Sequence, residues 1–85
     1  MVGPALFSDG STLTRWLERN GAPILPKGHV YRLSITGNKP QAVTATIHED
    51  FHSPMPLATF TEYVRVDTQM AAIAACKHAY EGLTP

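Results

Sequence analysis

Twice between His29 and Glu49 the apolar side chains fall on every second residue, with a turn cluster separating the two runs. Tyr31, Leu33 and Ile35 alternate with Arg32, Ser34 and Thr36, and Val43, Ala45 and Ile47 alternate with Thr44, Thr46 and His48. A period of two marks a half-buried strand, because successive side chains point to opposite faces. Gly37-Asn38-Lys39-Pro40 supplies the turn chemistry between them, so the two runs predict an antiparallel hairpin. A third run rich in β-branched and aromatic residues, about Thr59 to Val66, predicts a third strand. Asp50 to Leu57, with Pro54 and Pro56, reads as the loop before it, since proline cannot donate to a ladder.

On either side of these strands the period changes to that of a helix. Leu13, Trp16 and Leu17 share one face at i, i+3, i+4, while Arg15, Glu18 and Arg19 face water. Ser11 reads as an N-cap, Asn20-Gly21 as the left-handed stop, and Pro23 prevents resumption, giving a helix from about Thr12 to Asn20. Met70 to Tyr80 holds five alanines and has high helix propensity; Asp67 or Thr68 caps it and Gly82 ends it. Ile73, Cys76, Tyr80 and Leu83 line one face of this last helix. Residues 1–10 read as an irregular lead-in whose Leu6 and Phe7 could pack back on the core. The predicted class is α+β, in the order α-β-β-β-α: a three-stranded antiparallel sheet with both helices packed on one face.

Size and charge exclude several classes. Eighty-five residues make one small domain, with a two-layer core and no room for a large buried cavity. Seven Lys and Arg balance seven Asp and Glu, which argues against a strongly basic nucleic-acid clamp. The single cysteine, Cys76, cannot close an internal disulfide. No apolar run approaches the ~20 residues of a membrane span, so no membrane partner and a reducing, cytoplasmic setting are expected.

The order and lengths of these elements resemble the double-stranded RNA-binding domain from about Thr12 to Leu83: a short helix, Gly21, a Pro-containing connection, a strand opening near Tyr31, and a long Ala-rich final helix. That resemblance implies RNA contacts from the first helix, the first hairpin loop and a lysine cluster at the start of the last helix. Here the last of these reads Asp67-Thr68-Gln69-Met70, and the loop offers only Lys39. The chain is therefore more similar to divergent members of that family, which bind proteins or pair with themselves. A degenerate RNA binder would rely on Arg15, Arg19, Lys39 and Lys77.

His48-Glu49-Asp50-Phe51-His52 spells H-E-x-x-H, the signature of zinc proteases. On a helix the two imidazoles would reach one Zn²⁺ while Glu49 activates its water. Pro40 as a first-turn residue, with Val43, Ile47 and Phe51 at i, i+4, i+8, would permit such a helix. Four β-branched residues within Val43–Ile47 and the breaker Pro54 favour a strand instead. In a strand His48 and His52 would stand roughly 13 Å apart, too far for a shared ion.

The remaining candidates belong to a binding surface. Met55, held between Pro54 and Pro56 and followed by Leu57, costs little to immobilise on binding. Arg32, Arg65 and Lys39 would form a small positive patch if their strands were neighbours. The face away from the helices would carry Thr44, Thr46, Thr59, Thr61 and Tyr63, and an edge strand can add to a partner's sheet. Trp16 and Cys76 read as core, and Cys76 and His78 at i, i+2 diverge too far to act as nucleophile and base. The reading favoured is a non-catalytic interaction module with a protein partner or a homodimer. The alternatives are a degenerate duplex-RNA binder and a zinc hydrolase on His48, Glu49 and His52.

Overall fold

The computed structural model describes residues 10–83, with side chains from residue 12. The expected lead-in before Gly10, with Leu6 and Phe7, and the Ser11 side chain lie outside the described residues. Five elements follow in the order α1 (Gly10–Arg19), β1 (Val30–Thr36), β2 (Ala42–His48), β3 (Pro56–Tyr63) and α2 (Thr68–Glu81). The three strands form one antiparallel sheet in the order β1-β2-β3, so β2 is central and both neighbours are edges.

The alternation in β2 decides which face is buried. Val43, Ala45 and Ile47 have no exposed surface, and across from them stand Ile35, Leu33 and Tyr31 on β1 and Glu62, Phe60 and Ala58 on β3. Both helices pack on this face, α1 chiefly against β1 and α2 against β2 and β3. One cluster joins Leu13 and Leu17 of α1, Tyr31, the β2 residues and the small residues of α2. No helix among the described residues is long and apolar enough to cross a membrane.

α2 packs differently from its apolar stripe. Its buried residues are Ala71, Ala72, Ala75, Cys76 and Ala79, while Ile73, Tyr80 and Leu83 are only partly buried. Small side chains let the helix backbone lie close to β2, where the central layer leaves little depth. Asp67 is the N-cap: its carboxylate accepts the Met70 N–H at 2.8 Å.

Several boundaries differ from the sequence-based expectation. α1 starts at Gly10, so Ser11 stands inside its first turn and does not precede it. It ends as expected at a positive-φ glycine, Gly21 at +116°, with Asn20 Nδ2 donating to the Trp16 carbonyl. β3 begins at Pro56, three residues before the predicted start, and ends at Tyr63. Proline is admissible there because it is the first residue of an edge strand, beside a register shift opposite Ile47/His48. Glu18 does not face water fully. It is half-buried and accepts the Leu25 N–H at 2.9 Å, pinning the Pro-rich connection against α1.

Candidate functional site

Sheet order determines which backbone groups are left over. Thr14 Oγ1 accepts the Tyr31 N–H at 2.8 Å, so the outer edge of β1 begins already bonded to α1. On the other side of the sheet the Val64 N–H donates to the Gln41 carbonyl at 2.8 Å, which fixes the parity of the β2–β3 ladder. Val64, Glu62, Phe60 and Ala58 turn their backbone groups toward β2, and Thr59, Thr61 and Tyr63 turn theirs outward. Six of the eight residues of β3 are exposed, Leu57, Phe60 and Tyr63 among them. A long edge without lysine is a template for another strand. Two features blunt it in part: Pro56 and the register shift limit its start, and the Glu62 carboxylate accepts the Tyr63 N–H at 3.2 Å.

The open face of the sheet carries the expected hydroxyls. Thr44 lies opposite Thr61, with their Oγ1 atoms 2.8 Å apart, Thr46 lies opposite Thr59, and Ala42 opposite Tyr63. Arg32 shares this face opposite Thr46.

The residues singled out as a binding surface fall into two groups. Arg32, Met55 and Leu57 stand at the end where β2 finishes and β3 starts, while Lys39, Tyr63 and Arg65 stand at the other, about 20 Å away along β3. The condition for one positive patch is not met: β1 and β3 flank β2, and Arg65 lies beyond the end of β3. Arg32 also donates to the Phe51 carbonyl at 2.8 Å. Met55 is 71% exposed and Leu57 50% exposed. Tyr63, with Arg65, Val66 and Met70, lines a shallow groove of about 220 Å³ between the end of β3 and the start of α2.

The H-E-x-x-H run is strand and turn. His48 closes β2, and the turn that follows brings the Phe51 carbonyl within reach of Arg32 on the open face. The loop is shaped by Asp50, whose Oδ1 accepts the His52 and Ser53 N–H groups, each at 2.7 Å. His48 is only 4% exposed, and both of its ring nitrogens are engaged. Nδ1 lies 3.0 Å from the Ser53 carbonyl and Nε2 lies 2.8 Å from Thr46 Oγ1. A carbonyl can only accept, so Nδ1 carries a proton and a neutral ring takes the Thr46 hydroxyl hydrogen at Nε2. Burial, then the Arg32 charge, hold its pKa below the ordinary histidine value. Glu49 and His52 are exposed, and the helical face that would join the two imidazoles is absent. Among the described residues no three His, Cys, Asp or Glu side chains form a group that could hold a metal ion.

At the start of α2, where the resembled family places lysines, the Asp67 carboxylate occupies the open Met70 N–H. Cys76 is fully buried, and its thiol is pushed up to about 12 by loss of solvation. The Thr14–Tyr31 tie, the Glu18–Leu25 tie and the outward groups of β3 were not marked by any local sequence signal. Known protein families, curated proteins and solved structures contain no match to this chain.

Proposed function

We propose that this chain is a small non-catalytic protein-interaction module that takes an extended segment of a protein along the outer edge of β3. The observation that carries this reading is the outward backbone of Thr59 and Thr61, without a backbone partner among the described residues, on a strand whose side chains are mostly exposed. Main-chain bonds along such an edge supply affinity, and the alternating side chains supply selection. Met55 and Leu57 extend the surface at one end, and Tyr63 with Arg65 at the other. Arg32 and Lys39 are polar contributors at the rim. A reducing, cytoplasmic setting suits a domain whose one described thiol is buried and unpaired.

We read the α-β-β-β-α order as a divergent double-stranded RNA-binding-domain-like arrangement. Retained duplex-RNA binding is the second reading, favoured by that topology and by exposed Arg15, Arg19, Lys39 and Lys77. Against it stand the balanced charge and the carboxylate already seated at the start of α2.

Affinity capture with the intact chain and with Thr61→Pro tests the first reading. Proline removes one outward N–H while leaving the β2 ladder intact. Proteins retained by the intact chain and lost from the variant support edge pairing; equal capture by both contradicts it. A duplex-RNA gel shift at micromolar protein and low salt supports the second reading, and no shift removes it.

A further inference from the structure

We infer that the occupant of the β3 edge is a second copy of this chain, paired antiparallel about a two-fold axis through Thr61. The inference rests on the edge reading above and adds the partner and its register. With outward groups on Thr59, Thr61 and Tyr63, the register that uses all three sets Thr61 against Thr61 and Thr59 against Tyr63 of the second copy. The result is one continuous six-stranded sheet whose centre is the two β3 strands.

The same register makes both layers complementary. On the open face it extends the hydroxyl row, Thr59 and Tyr63 flanking the Thr61 pair. On the helix face it sets Phe60 opposite Glu62 of the second copy. Phe60 stacks on His78 of α2, ring centroids 4.5 Å apart, so the Glu62 carboxylate of one copy arrives beside the imidazole of the other. The Nδ1 of that ring already faces Glu81 Oε1 at 3.2 Å, and the two carboxylates share one ring. Symmetry makes this contact twice. In the isolated chain that carboxylate holds the Tyr63 N–H, and moving to His78 frees the N–H for the new ladder.

The helices also fit. α2 lies over β2 and β3, so α2 and its copy would run two strand spacings apart, about 10 Å, which is a helix-packing distance. Ala74, beside Glu62 in the groove, then meets the His78 column of the second copy, a small residue opposite a larger one. Met70, 58% exposed, belongs to the same stripe at i, i+4, i+8.

Sedimentation equilibrium and cysteine pairing test this together. The intact chain should shift from its 9.3 kDa mass to twice that as concentration rises, and Thr61→Pro should weaken the association by at least about tenfold. Under mild oxidation Thr61→Cys should give a covalent dimer, because directly opposed residues stand about 5.5 Å apart at Cα. Thr59→Cys alone should not link, whereas a mixture of Thr59→Cys and Tyr63→Cys should. The native chain, with only buried Cys76, is the control. A chain that stays monomeric to ~1 mM overturns the self-pairing and leaves heterologous edge pairing to the capture test. Dimerisation with Thr61→Pro unaffected, or Thr59→Cys linking to itself, overturns the register.

Discussion

Thr14 Oγ1 accepts the Tyr31 N–H at 2.8 Å, joining a buried hydroxyl of α1 to the first turn-out of β1 across seventeen residues of chain. Tyr31 is itself fully buried and donates its phenol hydrogen to the Pro23 carbonyl at 2.7 Å, so α1, the connection and the sheet meet at one side chain. Burial and neighbouring ionisable groups raise the Tyr31 pKa, which keeps that donor protonated. Replacing Thr14 by Val keeps the shape but leaves the amide unsatisfied, at a cost of about 1–3 kcal/mol. Urea unfolding should show a lower midpoint with an unchanged slope. An unchanged midpoint would mean the bond contributes nothing.

How much of this was legible in the sequence depends on range. Val43, Ala45 and Ile47 were readable as a buried strand face because period two is local, and all three are fully buried. The same holds for Gly21 as stop and for the cap, narrowed in the sequence to Asp67 or Thr68 and found at Asp67. Thr14 was not readable, because a threonine among apolar helix residues carries no sign of the amide it will meet seventeen residues later. Pro56 misled for a related reason: whether proline is tolerated in a strand depends on whether that strand is an edge, which only the pairing order reveals. The separation of Arg32 from Arg65 came from that same order.

His48 should make stability depend on pH. Its folded pKa lies below the ordinary value, so the neutral ring is favoured in the fold. As pH falls through about 6.5 the unfolded chain takes up a proton that the folded chain resists, and stability drops. This contribution is present in full above the unfolded value and lost as pH falls through the folded one. Urea midpoints measured from pH 8 to 5 should fall less steeply for His48→Gln than for the native chain. Parallel curves would exclude His48 as a source.

The Asp67 cap should be worth about 1 kcal/mol, since Asp67→Ala strands the Met70 N–H at the start of α2. Thermal unfolding checks this. The same variant bears on RNA: if the carboxylate is what repels phosphate there, Asp67→Lys should raise duplex-RNA affinity, and unchanged affinity would show that this terminus does not meet RNA.

Metal analysis of protein purified without chelator should find less than ~0.1 Zn per chain, because His48 has both ring nitrogens occupied and His52 lies on an exposed turn. Near-stoichiometric zinc would contradict the arrangement of residues 48–53.

Backbone hydrogen exchange reports most directly on the β3 edge. In dilute protein the amides of Phe60 and Glu62, bonded to β2, should exchange slowly, while those of Thr59 and Thr61 should exchange fast. Raising the concentration, or adding a captured protein, should slow Thr59 and Thr61 selectively. Protection that appears at Met55 and Leu57 or on the hydroxyl face, while Thr59 and Thr61 stay fast, would contradict edge pairing.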